Sequence, residues 1–141
     1  MKIVVAFILL SPLAFARDLA TIKSEPNLEK RARAAMDYAF ESLKFARTSY
    51  AEGDLKATSV FVTQIGDSVE LAGNSLGETG KKPRKSPKHF KKAEIQTREL
   101  LRKLESFRDE MSHEDREMVD LVKTRLERAQ EGLLAGIMGG R

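Results

Sequence analysis

Apolar side chains recur at alternating steps of three and four over most of the chain. Leu55, Thr58, Val62, Ile65, Val69, Ala72 and Leu76 form one series. Phe90, Ala93, Thr97, Leu100, Leu104, Phe107 and Met111 form a second, and Val119, Val122, Leu126, Ala129 and Leu133 a third. This coiled-coil-like spacing turns one stripe of each helix toward a partner helix. An earlier series is built from small residues: Ala32, Ala35, Ala39, Ser42, Ala46 and Ser49. Met36, Phe40 and Leu43 flank it on one shoulder, Tyr38 and Phe45 on the other. The alanine stripe predicts close backbone approach, and Tyr38 and Phe45 are candidates for contact outside the bundle. No period of two persists long enough to argue a strand.

The boundaries follow from turn and capping residues. Pro26 suits the first turn of a helix over 26–52, because its missing N–H is not needed there. Gly53 can cap that helix and Asp54 can open the next, over 55–76. Gly77, Gly80 and Pro83 break the pattern. Ser86 as N-cap with Pro87 at the first position starts a helix over 87–111. Ser112, with Asp115 three residues on, reads as a capping-box variant opening a helix over 113–136. Short connections at Gly53 and Ser112 force two antiparallel hairpins joined by a basic linker, 77–86. The expectation is an all-α, four-helix bundle-like single domain over 26–138, preceded by an extension over 17–25. Two loosely coupled hairpins, or a dimer of hairpins, satisfy the same pattern.

Residues 1–16 read differently. Lys2 precedes an unbroken apolar run from Ile3 to Leu10, Pro12 interrupts it, and Ala14 and Ala16 supply small residues for a cleavage site. This predicts a secretory signal peptide cut between Ala16 and Arg17, and hence a periplasmic or secreted protein. The run is shorter than the roughly 20 residues of a spanning helix, and no transmembrane span is expected in the mature chain. There is no cysteine, so packing rather than disulfides must hold the fold.

The net charge of +4 is small, but its placement is uneven. Lys81, Lys82, Arg84, Lys85, Lys88, Lys91 and Lys92 fall within twelve residues without an acid among them. Positive charge at the start of a helix opposes its dipole, so the run does not serve helix stability. It marks an anion-binding candidate for lipid head groups, envelope polysaccharide or nucleic acid, or else a solubilising loop. The second helix, by contrast, has no Lys or Arg between Ala57 and Gly80. Val60 and Leu71 fall opposite its apolar stripe, which makes them candidates for a protein partner or self-association. Gly66 and Gly73 each cost about 1 kcal/mol relative to alanine in a helix interior, which predicts an offsetting benefit such as close helix packing.

Groups for chemistry are sparse. Glu110 and His113 form a single E-x-x-H across a helix boundary, whereas di-iron bundles use two copies on continuous helices. Haem would need His89 or His113 to face the core beside Met36, Met111 or Met118. Both histidines fall near helix starts, and no C-x-x-C-H is present. No phosphate loop follows a strand, and no carboxylate pair falls on an expected core face. Neither metal, cofactor nor enzymatic activity is expected.

Residues 38–57 resemble one turn of a tetratricopeptide hairpin in Tyr50, Gly53-Asp54 and Ala57, with no second copy at repeat spacing. Four helices with an export signal also resemble periplasmic b-type cytochromes and helical periplasmic stress chaperones. The haem histidine of the first and the L-T-x-x-Q motif of the second are absent, so no functional residue carries over. The expectation is a non-enzymatic protein-interaction or structural module of the cell envelope. The alternative is an anion-binding module acting through 81–92.

Overall fold

The computed structural model describes residues 18–139; the expected signal peptide and its cleavage site lie outside the described residues. Five α-helices make up the fold: α1 (Leu19–Lys23), α2 (Leu28–Ala51), α3 (Leu55–Glu78), α4 (Lys88–Glu110) and α5 (Glu117–Ile137), with a 3-10 turn at His113–Asp115. The four long helices match the expected segments. The short α1 falls within the extension over 17–25, for which the sequence pattern predicts no helix. There Asp18 caps a single turn by accepting from the Thr21 N–H, and Ile22 is buried in the core.

Capping explains most of the boundaries. Asn27 accepts from the Lys30 N–H at the start of α2, and Asp54 from the Ala57 N–H at the start of α3. Between them Gly53 adopts φ 78°, the left-handed conformation that ends a helix at least cost in glycine. Ser86 and Ser112 do not cap as expected. Pro87 precedes α4 without a side-chain cap. The Ser112–Asp115 box is taken up across the bundle: the Ser112 N–H donates to the Tyr50 hydroxyl, which itself donates to Asp115 Oδ2. The chain therefore passes through a 3-10 turn before α5 begins at Glu117.

Two antiparallel hairpins pack into one bundle. In the first, Tyr38 of α2 meets Gln64 of α3 and Phe45 meets Phe61. In the second, Glu94 of α4 meets Gln130 of α5 and Glu105 meets Lys123. The hairpins associate through parallel pairs. Glu29 and Arg47 of α2 reach His89 and Glu110 of α4, while Asp67 and Glu70 of α3 reach Arg125 of α5. α3 packs along α2 and α5 and only slightly on α4. The linker thus crosses the end of the bundle between diagonally opposed helices.

The core is the set of expected stripes. Ile65, Leu100, Leu104, Val119 and Leu126 are buried, as are Ala35, Ala39 and Ala46 of the small-residue stripe. Hydroxyls in this interior are satisfied within their own helices. Ser42, Ser49, Thr58, Ser68, Ser75 and Thr97 each donate to the carbonyl four residues earlier. A buried hydroxyl without a partner would be costly; bonded in this way, small side chains let α2 and α3 form the largest helix interface of the bundle.

Candidate functional site

The parallel pairing of α2 and α4 brings their N-termini to one end, and that end is basic. Lys81 pairs with Glu29, and His89 Nε2 lies 3.0 Å from Glu29 Oε2. The hydrogen bond from Lys81, with the nearby charges of His89 and Lys88, holds the Glu29 carboxyl below the usual carboxylate range against partial desolvation. The remaining cations of the run stay open. Lys82, Arg84, Lys85, Lys88, Lys91 and Lys92 are exposed, and their side chains make no hydrogen bond or ion pair among the described residues.

The linker that carries this charge is seated on the end of α5. A Cβ at Gly136 would lie 3.1 Å from Pro83 Cγ, and one at Gly139 would lie 3.0 Å from Arg84 Cδ. Within the linker, the N–H groups of Lys85 and Ser86 donate to the Lys82 carbonyl at 3.0 and 2.9 Å. The cations are thus displayed on an ordered turn.

The folded chain also enlarges the basic surface beyond the sequence run. Arg33 of α2 shares a cleft with Lys92 and His89. Along α4, Lys88, Lys91, Ile95, Arg98 and Arg102 recur at steps of three and four and are all exposed, with Ile95 at 54 %. At about 1.5 Å per residue this stripe runs for about 21 Å. Arg98 is paired to Glu94, while Arg102 is unpaired among the described residues. Helical spacing alone held the signal for Arg98 and Arg102; Arg33 needed the tertiary pairing.

Of the four interaction-surface candidates, Tyr38, Phe45 and Leu71 are partly buried and Val60 is exposed. The Tyr38 hydroxyl donates to Gln64 Oε1 at 3.1 Å, and burial pushes its pKa up. Phe45 stacks on Phe61 at 5.5 Å between centroids. Leu71, expected to face outward, is half-buried against the core. It shares a side of α3 with Phe61, Gln64 and Ser68, and that side turns toward α2. Val60 is exposed at 50 %.

The two mid-helix glycines of α3 differ. Gly66 permits a close approach, since an added Cβ would lie 2.6 Å from Arg125 Nη1. Gly73 does not serve the expected packing: nothing lies within 4 Å of a Cβ placed there. It lines instead a groove of about 400 Å³ between α3 and α5. Gly132, also without a neighbour within 4 Å of an added Cβ, lines the same groove. Val69, Pro83, Phe90, Ala129 and Leu133 are its apolar lining, with Asn74 and Arg128 among its polar groups.

Glu94 is a buried carboxylate that the heptad reading missed; it accepts from Arg98 and Gln130 at 3.0 Å each. Glu110 pairs with Arg47 and His113 is exposed in the 3-10 turn. Among the described residues no three His, Asp or Glu side chains gather as a metal site, and no helix is long and apolar enough to cross a membrane. No protein-family model, curated protein or solved structure matches the chain.

Proposed function

We propose that this is an exported, non-enzymatic helical module that binds an anionic component of the cell envelope through its basic end and the outer face of α4. The observation that carries the reading is the ordered row of unpaired cations, Lys82 to Lys92, continued by Arg33 and Arg102. Among the alternative surface candidates, Tyr38, Phe45 and Leu71 are partly buried and Val60 is exposed, whereas the cations form a continuous row. The exported location rests on the leader pattern of 1–16. N-terminal sequencing of protein from its native host tests it, with Arg17 as the expected first residue.

Binding of this kind is Coulombic. Each basic side chain near an anionic membrane contributes about 1 kcal/mol, and the attraction fades as salt shortens the screening length. The test is titration with phosphatidylglycerol and phosphatidylcholine vesicles, and with heparin, across a salt series. Wild type should bind the anionic partners at low salt and release them as salt rises. Reversing Lys82, Lys85, Lys88 and Lys91 to Glu should abolish binding with the helical signal intact; Lys81 is left in place because it pairs with Glu29. Binding indifferent to salt, or unchanged in the reversed variant, overturns the proposal.

A further inference from the structure

We infer that the groove between α3 and α5 is a binding site for a small amphipathic anion, a molecule with an apolar chain or ring and one carboxylate or sulfonate. Its volume, about 400 Å³, falls among sites that hold small molecules, and its mix of apolar walls with few polar groups is theirs too.

Two features point to a ligand. The first is the pair of glycines. Gly73 and Gly132 have no backbone need for glycine, since both lie within helices and neither has positive φ. Neither permits a close contact, because a Cβ at either would meet nothing within 4 Å. Alanine would make the better helix at both positions. What the two glycines do preserve is open space over Val69, Phe90 and Leu133.

The second is the charge. Arg125, at one side of the groove, is engaged by Asp67 and Glu70. That pairing also engages Glu70, the one carboxylate in the lining. Arg128, one turn further along α5, makes no hydrogen bond or ion pair among the described residues, and neither does Asn74. An entering carboxylate therefore meets a free guanidinium without breaking an ion pair, while its apolar body covers Phe90 and Leu133. A cationic ligand would have to compete with Arg125 for Glu70. The site adjoins the basic linker, since Pro83 is in its lining, but its lining includes none of the cations assigned to the basic face.

The test is calorimetric titration of the full mature chain with decanoate, decanol and decylamine below their aggregation limits, alongside displacement of anilinonaphthalene sulfonate. Decanoate should saturate a single site. Arg128→Gln should weaken it about tenfold, the scale of one hydrogen bond to a charged group, and should leave decanol unaffected. Gly73→Ala with Gly132→Leu should remove binding while melting no lower than wild type. Lys88→Glu with Lys91→Glu should leave decanoate binding unchanged, which separates this site from the proposed anionic surface. The inference fails if decanoate shows no saturable binding, binds the glycine-filled variant as well as wild type, or follows Lys88 and Lys91 instead of Arg128. Should the filled variant melt lower than wild type, Arg128→Gln decides alone, and unchanged affinity in it overturns the site.

Discussion

The Tyr50 hydroxyl sits between two groups of the α4–α5 turn, donating to Asp115 Oδ2 at 2.9 Å and accepting from the Ser112 N–H at 2.8 Å. Tyr50 lies at the end of α2, so this contact fastens one hairpin to the turn of the other. Its ring packs edge-on to Phe107, with centroids 5.8 Å apart. Tyr50→Phe keeps the ring and removes both hydrogen bonds. The expected loss is about 1–2 kcal/mol, since each such bond nets about 1 kcal/mol. Urea unfolding checks it, and an unchanged midpoint would show that the turn holds without the joint.

Ile65 and Leu104 are fully buried, and a carboxylate at either site would have no partner. Ile65→Asp and Leu104→Asp should each unfold the bundle or nearly so. Truncation to alanine should cost about 2–5 kcal/mol. Lys91→Glu, on the exposed face of α4, should leave stability almost unchanged. Circular dichroism melts compare the classes, and equal shifts would mean the faces are misassigned.

Gly66→Ala and Gly73→Ala should separate. At Gly73 the new methyl enters open space, so the gain in helix propensity, about 1 kcal/mol, should appear as added stability. At Gly66 the methyl displaces the Arg125 guanidinium and disturbs its pairs with Asp67 and Glu70. Gly66→Ala should therefore gain less than Gly73→Ala, or destabilise. Thermal melts of the two variants give the comparison.

Acid should weaken the helix clamps. Hydrogen bonds from Arg125 and Arg108 hold the Glu70 and Asp120 carboxyls below their ordinary values of 4.5 and 3.8, despite opposing desolvation. A carboxyl depressed in the folded state stabilises the fold above its unfolded pKa, and that contribution is lost as pH falls through the folded pKa. Stability should therefore decline as pH drops below about 4.5. Both carboxylates are partly exposed, so solvent screens the pairs and the contribution of each is modest. Arg125→Met should flatten the decline, measured by urea melts at successive pH values. An unaltered pH slope in that variant would remove Glu70 from the account.

Heptad spacing is a local property of a helix, and it was enough to place Phe90, Leu104, Val119 and the alanine stripe of α2 in the core. Gly53 and Asp54 were legible for the same reason, because a helix stop and an N-cap act within a few residues. The charge run 81–92 could be read directly, since it is contiguous. What required the tertiary structure depends on contacts between distant segments. Ser112 and Asp115 look like a capping box until Tyr50, some sixty residues earlier, inserts its hydroxyl between them. Leu71 looks outward until α2 covers a second side of α3, and Ile22 looks like tail until α1 lays it on the core. The parallel pairing of α2 with α4 and α3 with α5 sets Arg33 beside Lys92 and opens the groove between Gly73 and Gly132. Periodicity states which face of each helix is apolar; only packing decides which helix that face meets.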